Sequence, residues 1–424
     1  MIGPLRRDVL EGGRIYEYVS DSMADVVRRH VAVSHAPNVV YTSEHLNNGL
    51  LLGGVFSASS SGTVESARQA CARMLGREAP GSGMPCGEWQ RMMLARLEPG
   101  AATAAFFETL EENVRVLRGL GMLDGEMDLA VDMHLIPRYD AERGPELVRS
   151  KNKSGTTWFE RYITIQSVTP GLRLVLGALP MPALGEKADF VRQLVHMCKA
   201  HGIRIGVVMA DREFFATGVI RVFEDEDLRY LVSCRNTGAV VDALNDFAGH
   251  AGFFPARDMV ISDGRSEVGY IGRIVGRRNG TRYGGLGEEE DGGSAPSIDY
   301  WDPSLEPCQR YIMFATNDPE LDVEMYAMRW GIETGYRMIE NARPKTRSTR
   351  PEIRAFCFLY GVMMFNAWVM INVQRALQGS GDLGQWDGTP LITQNAVTLY
   401  VLLRILGESL TPKPSPQPPP ESPG

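Results

Sequence analysis

Nothing in this chain of 424 residues marks it as a zinc-finger or disulfide protein. Its six cysteines, Cys71, Cys86, Cys198, Cys234, Cys308 and Cys357, stand far apart, with no CxxC pair and no Cys/His spacing that would build a zinc site. A reduced, cytoplasmic protein is the expectation. Positive charge is also in short supply, since 44 Lys and Arg face 52 Asp and Glu for a net charge of -8. That balance excludes a protein that coats nucleic acid along its whole surface, so any contact with phosphates has to come from local basic patches. The N-terminus shows no basic start, apolar run and small-residue cleavage site, which argues against secretion. Long apolar runs are scarce. The exception is 355–373 (AFCFLYGVMMFNAWVMINV), uncharged over nearly the length that spans a bilayer. Asn366, Asn372, Tyr360 and Gly361 weaken that reading and favour a helix buried in a large core.

What is present is an ordinary globular composition, 44% hydrophobic and 23% charged, in a chain long enough for more than one domain. The pattern over 1–124 is mostly helical, with runs at 64–75 and 101–120. It then changes. Residues 128–137 (DLAVDMHLIP) alternate like a strand, and 159–168 and 172–179 follow as β-rich runs. A helix over 187–201, an apolar strand over 203–210 ending at Asp211, a helix near 215–223 and a strand at 229–233 complete an α/β core for 125–235. Residues 236–317 read as a β-rich insertion of short strands around the glycine-rich acidic stretch 279–293. Asp318 and Pro319 have the residue types of a helix start, which predicts a helix to about residue 342. A core segment over 318–378, a helical element over 379–409 and a proline-rich tail over 410–424 finish the chain.

On the predicted helix after Pro319, Leu321, Met325, Met328, Ile332 and Ile339 form a core stripe, while Tyr326, Arg329, Glu333, Arg337 and Glu340 form a second stripe about 100° away. Glu333 then stands at the margin of the sheet, where it can meet acids carried by strands, as a shared divalent-metal site requires. Asp132 lies inside an apolar strand, which is costly unless the charge is paired or metal-bound. Asp211 is a strand-end acid that could equally cap a turn, and Asp128 and Glu213 are nearby alternatives. Glu333 between Arg329 and Arg337 could be a surface ion pair.

Four segments, in order, resemble one family. AVDMHLIPRYD is similar to a first-aspartate strand, RSKNKSGTTWFERYITI to the hairpin after it, and VVMADREFF to a second-aspartate motif. YAMRWGIETGYRMIENARPKTRS, followed by FLYGVMMFNAWVMIN, looks like a glutamate helix and its packing partner. Together they resemble the insertion-sequence transposases of the DDE class, in the subgroup with a tyrosine-arginine-glutamate-lysine signature, over 127–373.

The resemblance implies a ribonuclease-H-like catalytic core with a β-rich insertion and a helical N-terminal domain that binds DNA ends. It implies Asp132, Asp211 and Glu333 as the catalytic and metal-binding triad, with Tyr326 and Arg329 near the DNA. The cofactor would be two Mg²⁺ ions, for which Mn²⁺ can substitute. No serine, tyrosine or cysteine nucleophile is expected, because water and a 3′ hydroxyl attack directly. Double-stranded DNA, as terminal repeats and target, would be the partner of a homodimer or higher oligomer, without a membrane and in the cytoplasm at the nucleoid. One position departs: the signature lysine falls where this chain has Glu340, so Arg337, Arg343 or Lys345 would have to replace it. Alternatives kept open are a related nuclease without strand transfer and an inactive DNA-binding derivative.

Further basic residues are candidate DNA contacts. Arg149, Lys151 and Lys153 would reach phosphates from the hairpin, and Arg343, Lys345, Arg347, Arg350 and Arg354 form the densest positive run. His134 shares a strand face with Asp132, where a structural role is the more ordinary one, and Trp301 could stack on an unpaired base or simply pack.

Overall fold

The computed structural model describes residues 41, 43–55, 60–75, 85–98, 100–139, 144–169, 171–249, 256–276, 305–380 and 390–391. Helices α1 (Ser43–Val55), α2 (Ser60–Leu75), α3 (Gly87–Leu94) and α4 (Ala101–Gly119) come first. There follow β1 (Met127–Arg138), β2 (Leu147–Lys153), β3 (Thr156–Ser167), β4 (Val175–Pro180), α5 (Lys187–Ala200), β5 (Ile205–Ala210), α6 (Thr217–Asp225) and β6 (Arg229–Ser233). Then come α7 (Gly238–Gly249), β7 (Ala256–Ser262), β8 (Glu267–Gly276), the short α8 (Pro307–Arg310) and β9 (Tyr311–Thr316). A 3-10 helix (Val323–Trp330) leads into α9 (Gly331–Ala342), and α10 (Pro351–Ser380) follows. Expectations for Trp301, the glycine-rich stretch 279–293, the tail 410–424 and all of 392–406 lie outside the described residues.

Two compact units divide the chain, 113–336 and 1–112 together with 337–424. In the first, nine strands form one mixed sheet in the order β2-β3-β1-β5-β6-β9-β8-β7, with β4 pairing β3. The inner part is a ribonuclease-H-like core. Strand β3 pairs antiparallel with both β1 and β4, β5 pairs parallel with β1, and β6 pairs parallel with β5. The parallel β5 and β6 are apolar along nearly their whole length, as strands covered on both faces are. The predicted strands and helices of 125–235 fall within a few residues of these elements.

Among the described residues, the strands of the insertion do not form a separate sheet. Its β9 pairs antiparallel with β6, and β8 and β7 continue outward, so it widens the core sheet. It also opens with a helix that its strand-like pattern hid: α7 buries Val240, Ala243 and Leu244, an i, i+3, i+4 stripe. The helix expected from Asp318 is corrected as well. Asp318 caps only a turn, accepting from the Glu320 amide, and Asp322 caps the 3-10 helix by accepting from the Glu324 amide. True α-helix starts at Gly331.

In the second unit the apolar run belongs to α10. The stretch Pro351–Leu377 is long and apolar enough to cross a membrane by length and composition, and its most apolar window is entirely buried within the protein, as a core helix is. Buried Asn372 donates to the Trp368 carbonyl, and Thr109 of α4 donates to the Met363 sulfur at 3.6 Å. Gly361 permits the close packing here, since a Cβ at that position would lie 2.9 Å from the Ile339 carbonyl oxygen.

Candidate active site

Register decides which acids meet. Strands β1 and β5 run parallel with Val131 opposite Ala210, so the next residue of each chain segment is an aspartate, Asp132 beside Asp211. Neighbouring strands lie roughly 4.8 Å apart, which makes these two carboxyls immediate neighbours. They stand where the parallel pairing of β1 with β5 ends, Asp211 just past the last residue of β5 and Asp132 midway along β1; the carboxyl end of parallel strands is the usual location of a ligand site in an open α/β sheet. Of the alternatives, Asp128 is committed to the backbone: it accepts from the Val207 amide where the β1–β5 register shifts. Glu213 is exposed.

The third acid arrives through the 3-10 helix. With three residues per turn, side chains at i and i+3 eclipse, and the buried set here is Val323, Tyr326 and Arg329. An α-helical winding would have turned Met325 and Met328 inward instead, and both are only half-buried. Arg329 is 1% exposed, and its Nη1 donates to Asp132 Oδ2 at 3.0 Å while Nη2 lies 3.7 Å from Glu333 Oε1. Glu333 sits in the first turn of α9 with about half its side chain exposed, at 52%. Tyr326 Oη donates to the Ala210 carbonyl at 3.1 Å, its ring packs on Phe314, and the Arg329 guanidinium lies 5.4 Å from the ring centroid. Two residues expected as DNA contacts, Tyr326 and Arg329, are thus interior groups that fix the acids.

The electrostatics follow from burial. Desolvation is the main cause that pushes the Asp132 carboxyl up to about 7, with Asp211 and Glu333 adding to it and Arg329 and the Met133 amide opposing. Asp211 is raised for the same first reason, opposed by Arg329, and its Oδ1 accepts from the Glu213 amide at 2.8 Å. Two neighbouring acids that resist ionising together favour a cation between them.

The donor set, three carboxylates with two side by side, has the hard oxygen chemistry of a Mg²⁺ or Mn²⁺ site. As the side chains stand, no group of three or more His, Cys, Asp and Glu among the described residues is close enough to hold an ion. Arg329 instead supplies the positive charge at Asp132 and contacts Glu333.

Sequence reasoning missed two members of this neighbourhood. Tyr336, three residues beyond Glu333, is buried with its Oη 2.6 Å from Thr164 Oγ1, and it stacks on His134 with centroids 4.5 Å apart. The i, i+3 spacing from Glu333 was the available signal. His134 therefore has the structural contact expected of it.

Arg149, Lys151 and Lys153 are exposed on β2, whose turn places Ser154 and Gly155 at φ 54° and 79°. In the other unit, Arg337 and Arg347 are exposed. Arg343 and Lys345 are not the free cations expected, because Glu340 accepts from Arg343 Nε and Nη2 and from Lys345 Nζ, each at 2.7 Å. Arg354 donates to the Thr349 carbonyl and Arg350 to the Ala95 carbonyl.

Comparison with known proteins adds two findings. The family model described as a transposase DDE domain matches residues 125–366. The cryo-EM structure of piggyBac transposase in a synaptic complex with hairpin DNA is similar in fold, with a TM-score of 0.50 at 10% identity over 96% of this chain and 82% of that chain. No curated protein is significantly similar in sequence.

Proposed function

Because the chain belongs to the transposases with a DDE domain, we propose that it cuts DNA at the ends of an insertion sequence and joins the freed 3′ ends to target DNA. The observation that carries this reading is the pairing of Val131 with Ala210, which sets Asp132 against Asp211 where the parallel pairing of β1 and β5 ends, with Arg329 tying Asp132 to Glu333. Two Mg²⁺ ions, or Mn²⁺ in their place, would be held by Asp132, Asp211 and Glu333, and when bound supply the charge that polarises water and stabilises a departing 3′ oxygen. The chain's own residues prepare that site. Arg329 offsets part of the burial that raises the Asp132 carboxyl, which eases its ionisation when a metal ion is bound. Tyr326, anchored to the Ala210 carbonyl, fixes the last residue of β5 and so the direction in which Asp211 leaves the strand. Half-exposed Glu333 is free to swing from Arg329 toward the aspartates. Double-stranded DNA is the substrate, and a homodimer or larger assembly in the cytoplasm would bring two ends together.

The test is cleavage of a duplex carrying the DNA that flanks the gene. Asp211→Asn and Glu333→Gln should each lower Mg²⁺-dependent nicking by at least ~100-fold, the scale seen when a group stabilising developing charge is removed, while leaving duplex affinity within a few-fold. Nicking that persists in both variants would remove these acids from the reaction. Joining of the nicked strand to a second duplex separates a transposase from a nuclease without strand transfer.

A further inference from the structure

Beside Asp211, and outside the acid triad, two cations converge on the backbone turn at 212–213, and a third, Arg161, is held close by on other carbonyls. Lys187, the first residue of α5, donates from Nζ to the Glu213 carbonyl at 2.7 Å. Arg235, just after β6, donates from Nη2 to the same carbonyl at 3.0 Å and from Nε to the Arg212 carbonyl at 2.8 Å. Arg161 on β3 donates from Nη2 to the Pro182 carbonyl at 2.8 Å, and its charge and that of Lys187 act on each other and on Glu213. Three elements far apart in sequence therefore deliver positive charge to one place.

These cations are positioned by neutral groups. A carbonyl fixes the geometry of a guanidinium or ammonium without cancelling its charge, unlike a carboxylate. The acids facing the cluster are Glu213, whose Oε2 is 3.8 Å from Lys187 Nζ and whose side chain is 59% exposed, and Asp211, which also acts on Lys187. Arg161, Lys187 and Arg235 thus face two carboxylates, which leaves one positive charge over. Arg235 is exposed and Lys187 half-buried, which leaves the cluster open on one side. Fixed donors with uncompensated charge are what a phosphate oxygen needs, and such contacts set the register of a protein on a duplex.

We propose that Arg161, Lys187 and Arg235 form a binding site for a DNA backbone phosphate flanking the one that is cut. The proposal rests on the transposase reading, since it takes the strand at Asp211 to be the substrate. The Glu213 amide bonds the Asp211 carboxylate while the Glu213 carbonyl holds Lys187 and Arg235, so one peptide residue couples the phosphate anchor to the catalytic acid.

The experiment measures affinity of the full chain for a fluorescent duplex of the gene's flanking DNA over a range of KCl concentrations. Losing one phosphate contact should flatten the slope of log affinity against log salt by about 0.9. The double variant Lys187→Gln with Arg235→Gln is expected to show that flattening and a several-fold weaker affinity. Glu213→Gln, which removes the opposing carboxylate, is expected to tighten binding, an effect of opposite sign that misfolding cannot imitate. An unchanged slope together with a neutral or weakening Glu213→Gln would overturn the proposal. Displacement of the duplex by low concentrations of inorganic phosphate at constant ionic strength would mark a free-anion site and overturn it too. The two readings fail differently: wild-type protein that neither binds nor cuts the duplex sinks the transposase reading, whereas normal cutting with unaltered slopes sinks only this anchor.

Discussion

Two acid–base clusters in the same compact unit have similar members and opposite settings. At the strand ends, Arg329 faces Asp132 and Glu333 with 1% of its side chain exposed. On the surface, Glu226 gathers Arg192 at 3.3 Å, His196 at 2.7 Å and Lys199 at 2.9 Å, whose side chains are 38%, 57% and 41% exposed. The surface cluster gathers more basic partners. By counting contacts it would be the more important of the two, yet its partners are open to water and salt, while the Arg329 guanidinium is almost wholly withdrawn from both. Burial, and not the number of bridges, is what makes a charge cluster a constraint on folding and chemistry.

Removing the shared cation should show the difference most strongly. Arg329→Met leaves Asp132 and Asp211 desolvated with their main counter-charge gone, and breaking a buried pair in this way typically costs roughly 3–5 kcal/mol. Urea unfolding of the metal-free protein measures it. A double-mutant cycle with Asp132→Asn should recover part of that loss, because the pair then no longer leaves an acid unmatched. If Arg329→Met costs no more than a surface substitution, the contrast between the clusters collapses.

The pH dependence should differ in sign as well as size. Asp132 has its carboxyl raised from 3.8 to about 7, so between these values the folded protein holds a proton that the unfolded chain has released. Stability from this group is therefore full in acid and falls as pH rises through that window, by at most about 1.4 kcal/mol per pH unit for one proton. Asp211 is raised too, and the two titrate as a pair. Unfolding midpoints in chelator at about pH 5 and about pH 7 should diverge less in Asp132→Asn than in wild type. Equal divergence in the two proteins would mean that Asp132 ionises in the folded state as readily as a free acid.

The interior cluster was only half legible in the sequence. Asp132 stood out because a charge in an apolar strand demands a partner, and Asp211 because an apolar run ended on it. What brings them together is the register of β1 against β5, a long-range pairing that local patterns do not encode. The resemblance sets Arg329 and Tyr326 near the DNA, and a 100° helical step puts them on a polar stripe with Glu333, whereas 3-10 winding turns both inward. The core strands were readable since parallel strands buried on both faces are continuous apolar runs. The helix α7 was not, because its two consecutive valines and flanking glycines carry the composition of a strand. Glu340 could be recognised as out of place, but its bonds to Arg343 and Lys345 depend on how the chain turns after α9. The anchor cluster at Glu213 was invisible, as its cations come from three separate elements and are held by backbone carbonyls that have no sequence signature.

The smallest effect is expected where the ion pairs are most numerous. In Glu226 the carboxyl is drawn down to about 2, first by the Lys199 hydrogen bond and then by His196. A depressed acid contributes stability above its unfolded value of 4.5, and that contribution disappears as pH falls toward 2, the reverse of Asp132. Because its partners are largely in water, Glu226→Gln should cost only about 0.2–1 kcal/mol at neutral pH, and less in high salt. Urea unfolding at low and high KCl gives the comparison. A loss that matched Arg329→Met, or that persisted undiminished in high salt, would show that solvent does not screen this cluster, and exposure would no longer account for the difference between the two.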